Sequence, residues 1–194
     1  MAEESSKSRI AIFASGRGTN ASAIMDYFKH SSSAEVVLLL SNNPEAHVLQ
    51  RAKSFGIAAK VFTKEQFYEN GQVLKWLHEL KTTHVALAGF LWIIPPTLVR
   101  EFPGRIINIH PALLPKFGGK GMYGMNVHEA VKTSGELETG ITVHIVNENY
   151  DDGEVLFQVK CNVEPGDTSE QIAEKVHQLE YDHYPKVIEQ WVQG

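Results

Sequence analysis

One cysteine, Cys161, in 194 residues excludes an internal disulfide, so the fold must be held by its core. No apolar run approaches the roughly 18 residues of a membrane-spanning helix. The polar start Met1 to Ser6 lacks the apolar stretch of a secretory signal. These absences predict a cytoplasmic protein with no membrane partner. Neither sign of charge dominates. Lys+Arg number 18 and Asp+Glu 23, for a net charge of -5 and a pI near 6.0, so the basic footprint of a nucleic-acid binder is missing. Apart from Ser31 to Ser33 there is no low-complexity tract, and no internal repeat or compositional break marks a linker.

A hydrophobic content of 43% is ordinary globular usage, and the length predicts one α/β domain across residues 1–194. Arg9 to Ala14 reads as a buried strand, Asn20 to Lys29 as a helix, Glu35 to Leu40 as a strand and Pro44 to Phe55 as a helix. Ala58 to Phe62 and Thr63 to Lys81 repeat the unit. His84 to Ala88, a short helix Pro95 to Glu101 and strand Arg105 to Ile109 follow. The alternation predicts a mostly parallel, Rossmann-like sheet with helices on both faces. Beyond the loop from Pro115 to Asn126, a helix Val127 to Thr133 leads to strands Thr139 to Val146 and Glu154 to Val163. These are expected as an antiparallel C-terminal addition. Thr168, with Glu170 and Gln171 after it, starts a long last helix, and the tail from Trp191 is too brief for another module.

The stretch Ile107-Asn108-Ile109-His110-Pro111 carries the chemistry. In a strand, residues i and i+2 face the same side, so Asn108 and His110 can converge on one atom. An amide donor beside a proton carrier suits acyl transfer. The same letters also describe a plain polar strand end before a rigid proline loop. Asp151, in the turn Asp151-Asp152-Gly153, could orient His110 and raise its pKa, or could be an ordinary turn residue.

Ser15-Gly16-Arg17-Gly18-Thr19-Asn20 joins the first strand to the first helix, where backbone N–H groups can close on an anion. A dinucleotide would want an acid after the second strand, and Leu40-Ser41-Asn42-Asn43 supplies none. A phosphomonoester suits the loop better, and a structural turn is the other reading. His144, in an apolar alternating strand, reads as a core histidine or a supporting residue. His177, Glu180 and His183 recur every third residue without a further ligand pattern, so no metal is expected. Cys161 reads as a strand residue and not a nucleophile.

With these motifs in place, the chain resembles the phosphoribosylglycinamide formyltransferase family of purine biosynthesis. The resemblance rests on Ser-Gly-Arg-Gly-Thr-Asn at 15–20, Leu-Ala-Gly-Phe at 87–90, residues 107–116, Gly140 to Val146 with His144, and Tyr150 to Gly153. It implies the formyltransferase fold and transfer of a formyl group from 10-formyltetrahydrofolate, a co-substrate, to the glycinamide amine. It implies catalytic roles for Asn108, His110 and Asp151, a substrate phosphate on Gly18, Thr19 and Asn20, and the substrate's ribose or glycinamide end at Glu180. The folate would lie against the backbone of Leu91, Trp92, Ile93 and Ile94, against Asn108, and against Asn147, Glu148, Asn149, Tyr150 and Asp151. Lys64 would meet its glutamate tail. The implied partners are small molecules, glycinamide ribonucleotide and formyl-folate, bound by a monomer or homodimer. Two departures stand out: Leu91-Trp92 where many members carry Met-Arg, and a glycine-rich loop at 117–124, expected to move and close over substrate. Formyltetrahydrofolate deformylase and methionyl-tRNA formyltransferase are weaker matches, since each would need a further domain. A folate- or phosphate-binding module without activity is the nonenzymatic alternative.

Overall fold

The structure is a computed structural model that describes residues 7–194; Met1 to Ser6 lie outside the described residues. Seven strands form one sheet in the order β3-β2-β1-β4-β5-β6-β7. They are β1 (Ser8–Phe13), β2 (Ala34–Ser41), β3 (Ala59–Val61), β4 (His84–Leu87), β5 (Ile106–His110), β6 (Glu138–Ile145) and β7 (Val155–Asn162). The first five pair in parallel, and β6 and β7 join antiparallel to β5 and to each other.

The central strands are buried on both faces, which is why they appear as continuous apolar runs. Ile10 and Ile12 of β1 face helices α1 (Thr19–Phe28), α2 (His47–Ser54) and α7 (Ser169–Gln193), while Ala11 and Phe13 face α3 (Lys64–Tyr68), α4 (Gln72–Glu79) and α5 (Pro96–Glu101). The remaining helix, α6 (Met125–Ser134), packs against α7 through Val131 and Ile172. Among the described residues, no helix is long and apolar enough to cross a membrane.

Two helical readings needed correction. Thr63 to Lys81 is not one helix: α3 and α4 are separated at Glu69 to Gly71, and Gly71 has a φ of 70° that an interior helical residue cannot adopt. Thr63 starts α3 with a capping box to Gln66, a signal as good as the one Thr168 and Gln171 make on α7. The second helix begins at His47, because Pro44 to Ala46 form the turn that enters it. Trp191 to Gln193 form the last residues of α7.

The first and fourth strands flank the point where the chain reverses direction across the sheet, so the crevice beyond their carboxyl ends is where a ligand belongs. Tyr184 of α7 is buried beneath that crevice, and its hydroxyl donates to the Leu87 carbonyl at 2.9 Å, with Ile107 O at 3.5 Å. Removing this donor leaves a buried carbonyl short of a partner. Tyr184→Phe is expected to lower unfolding free energy by about 1–2 kcal/mol, measured by urea denaturation; an unchanged midpoint would mean the hydroxyl does not tie α7 to β4.

Candidate active site

A cavity of about 650 Å³ opens at that crevice. It has two chemically distinct ends. At one, Gly18 is the left-handed N-cap of α1, with φ 72°, and no side chain caps the helix. A Cβ at Gly18 would stand 2.2 Å from Val48 Cγ2, so the close approach of the two chain segments requires glycine. The first helical N–H groups are left free and the helix carries no acid in its first turn, an arrangement that favours an anion. Ser15 ties this loop to the next strand end: its N–H donates to Gly89 O at 3.0 Å, and its hydroxyl accepts from Leu91 N at 3.0 Å.

Glu180 of α7 borders the same end, 6% exposed, and accepts from Asn20 Nδ2 at 3.0 Å. Burial pushes its carboxyl up to about 7, against the opposing pull of the Asn20 hydrogen bond. Asn20 Oδ1 is buried with no partner, as is Nδ1 of His128 on α6. Both residues line the cavity, so both ends of this wall hold polar atoms that a ligand could satisfy. His128 and His177 lie edge to face at 6.0 Å; burial first, then neighbouring positive charge, holds both imidazoles below their ordinary range, His128 at about 4.

At the other end, Asn108 and His110 of β5 meet His144 of β6 and Asp151 of the following loop. Asn108 sits opposite His144 in the antiparallel register, with Asn108 Nδ2 3.3 Å from His144 Nε2. His144 Nδ1 lies 3.0 Å from the Ile145 carbonyl, which can only accept, so Nδ1 bears a proton. His110 Nε2 lies 2.7 Å from the Phe117 carbonyl and therefore carries its proton there. That leaves Nδ1 facing Asp151 Oδ2 at 3.6 Å, with Asp151 Oδ1 3.5 Å from His144 Nε2.

Burial dominates the His110 imidazole and lowers its pKa; Asp151 pulls upward but does not win. The upward pull expected of Asp151 is present, but the loss of water outweighs it and sets the net direction. For Asp151 burial alone would raise the carboxyl, but hydrogen bonding from the His144 ring, the charge of His110 and the Gly119 N–H at 2.9 Å together hold it below its usual range. Asp151 itself sits at φ 49°, a left-handed conformation that a short acid tolerates, and this aims its carboxylate back at the two rings.

Of the residues singled out from sequence, Gly18, Thr19, Asn20, Leu91, Trp92, Ile93, Ile94, Asn108, His110, Asn147, Asn149, Tyr150, Asp151 and Glu180 line the cavity. Two do not. Glu148 turns outward to Arg100 at 3.5 Å, and Lys64 stands outside the lining with its Nζ 5.8 Å from the Trp92 ring centroid. His128 was missed, since nothing in a helical Val-His-Glu sequence separates it from a packing residue. The 117–124 loop lies over the site, with Gly119 to Gly124 among its walls. Among the described residues, no group of three His, Cys, Asp or Glu side chains could hold a metal.

Residues 8–188 match the family described as Formyl transferase. This chain belongs to that family. It is 40% identical over 191 residues to the chloroplastic phosphoribosylglycinamide formyltransferase of Arabidopsis thaliana, covering 95% of this chain and 65% of the plant protein. The chain thus spans just under two thirds of that relative, and 60% of the one from Vigna unguiculata. It is 37% identical to the phosphoribosylglycinamide formyltransferase of Bacillus subtilis, covering 94% of this chain and 93% of that one. The crystal structure of glycinamide ribonucleotide transformylase 1 from Geobacillus kaustophilus superposes with a TM-score of 0.88 at 37% identity, covering 96% and 99% of the two chains. The formyltransferase fold expected from the sequence is therefore the fold observed.

The raised carboxyl of Glu180 has a consequence for stability. A carboxyl with a folded pKa near 7 and an ordinary value of 4.5 contributes fully below 4.5, and that contribution is lost as pH rises through 7. Glu180→Gln cannot ionise and can still accept from Asn20. It is expected to be more stable than the parent above neutral pH, by up to roughly 3 kcal/mol, with the difference shrinking towards mildly acidic pH. Guanidinium unfolding across that range tests it; a constant offset would mean that Glu180 is not held neutral.

Proposed function

We propose that this chain transfers the formyl group of 10-formyltetrahydrofolate to the amine of 5'-phosphoribosylglycinamide, as in purine biosynthesis. One observation carries this reading: a single cavity joins an anion-receiving helix N-terminus to a cluster of Asn108, His110 and Asp151. A phosphorylated amine held at the first end would present its nitrogen at the second. The likeness to proteins named for this activity in plants and bacteria supports the same assignment.

The roles follow from the geometry. The amine attacks the formyl carbon and a C–N bond forms, leaving negative charge on oxygen and positive charge on nitrogen. The Asn108 side-chain amide, 3.3 Å from His144, can donate an N–H to the oxygen. His110 Nδ1, unprotonated at rest, takes the proton from the attacking nitrogen, and Asp151 stabilises the imidazolium that results. The oxygen's electron pair then restores the carbonyl and the bond to the folate nitrogen breaks. His110 returns its proton to that nitrogen. Every proton and electron pair is accounted for without a metal. His144 acts through Asn108 and Asp151 as a positioning residue.

A hydrolase would use the same trio with water as acceptor. The glycine loop and buried Glu180 favour the phosphorylated amine, since water needs neither.

In a formyl-transfer assay, product is expected only when both substrates are present; folate release without the amine would establish the hydrolase instead. Asn108→Ala should lower kcat by about 10²–10³-fold and His110→Ala by about 10²–10⁴-fold. Because His110 must be unprotonated, kcat/KM should rise with pH through a pKa below the ordinary 6.5 and then level. Asp151→Asn removes the one upward pull of a carboxylate, so the rising limb should move to still lower pH while the plateau falls. A limb that stays in place would separate Asp151 from the His110 proton.

A further inference from the structure

The mouth of the cavity at the 89–94 segment is aromatic where a basic surface would be expected for an anionic tail. Trp92 lines it, backed by Phe62, Phe67 and Phe90 at centroid distances of 5.9, 6.1 and 6.5 Å. Tyr68 of α3 stacks on the Trp92 ring, with centroids 6.1 Å apart and planes 27° from parallel. The Tyr68 hydroxyl donates to Ile93 O at 3.0 Å, which locks the ring in that pose. Tyr150, 47% exposed, lines the same mouth, and burial together with its proximity raises the Tyr68 phenol. Trp92 thus meets the cavity with Tyr68 braced against it, Tyr68 itself lining a smaller neighbouring pocket.

Charge is sparse here. Lys64 is the cation on this surface, 5.8 Å from the Trp92 ring centroid. Glu65 follows it on the same short helix and Glu69 caps that helix's end. Arg100 is taken by Glu148 at 3.5 Å. The lining cations are Arg17 in the glycine loop and Lys120 in the 117–124 loop.

A formyl-folate carries its formyl group on a nitrogen bonded directly to an aryl ring, and beyond that ring lies a glutamate tail. Leu87 pairs with Asn108, so the 89–94 segment leaves the sheet beside the reacting end. A formyl carbon placed at Asn108 therefore puts the aryl ring and tail within reach of Trp92. Given formyl-folate as donor, on which this assignment depends, we propose that Trp92, braced by Tyr68, holds the aryl ring by stacking, and that this chain holds that end of the folate by aromatic contact and not by charge on its tail. Added γ-linked glutamates then meet one lysine flanked by acids and gain little.

The test compares 10-formyltetrahydrofolate with one glutamate and with five, using the intact chain, Trp92→Leu, Trp92→Arg and Tyr68→Leu, each checked for an unchanged melting temperature. The parent should show KM values for the two folates within about twofold of each other. Trp92→Leu should raise both by about fivefold, with the loss on KM and not on kcat, and Tyr68→Leu should do the same to a smaller extent. Trp92→Arg should create a preference for the longer tail that added salt erases. A parent that favours five glutamates by an order of magnitude, or a correctly folded Trp92→Leu with unchanged KM, overturns the assignment. A parent that turns over neither folate removes the formyl-donor reading itself and the platform with it, an outcome distinct from turnover that ignores Trp92.

Discussion

The antiparallel register that sets Asn108 opposite His144 is the constraint on which the reacting end depends. Strand side chains alternate faces, so a slip of one residue between β5 and β6 would send Asn108 and His110 away from the cavity together. The register is held from both sides. Parallel pairing fixes Leu87 against Asn108, and His110 lies opposite Thr142, which is fully buried. The Thr142 hydroxyl donates to Ala112 O at 2.6 Å and accepts from Leu114 N and Gln158 Nε2 at 3.0 and 2.9 Å. That one hydroxyl pins the turn after His110. The turn in turn delivers the Phe117 carbonyl to His110 Nε2.

The same logic links the site to its covering loop. Asp151 receives the Gly119 N–H and faces both His110 and His144, so the 117–124 loop and the two imidazole rings share one carboxylate. Its left-handed backbone is a local strain that the surrounding contacts must hold in place. Gly153 closes the far side: a Cβ there would stand 1.7 Å from Ile145 O, so the chain after Asp151 returns flush against β6.

The parallel strands were legible because buried strands appear as unbroken apolar runs, and Arg9 to Ala14 and His84 to Ala88 are such runs. Asn108 and His110 were legible from their spacing, and the glycine loop from its place between strand and helix. What escaped depends on neighbours distant in sequence. The break at Glu69 to Gly71 turns on one positive φ inside a strongly amphipathic stretch. His144 reads from sequence as a core histidine or a supporting residue, and it is 2% exposed; the register sets its ring beside Asn108. His128 joins the cavity through the packing of α6 on α7, which no local pattern encodes. Glu148 was taken with its loop, yet alternate loop residues point apart, and Arg100 draws it outward.

The balance at His110 explains why burial and an acid are both present. In the proposed reaction the proton acceptor must be neutral before the amine attacks and must tolerate charge afterwards. Burial alone would secure the first condition and make the imidazolium prohibitive. A carboxylate alone, in water, would protonate the ring at rest and leave nothing to accept the proton. In this site burial outweighs Asp151 in the resting state, and in the proposed mechanism the carboxylate becomes the counterion once the proton arrives. Asp151 can serve only while ionised, and it is kept so by the Gly119 N–H and by the same two rings. The covering loop therefore bears on the chemistry directly. Displacing Gly119 would weaken the carboxylate, and through it the stability of the charged His110, without touching either substrate.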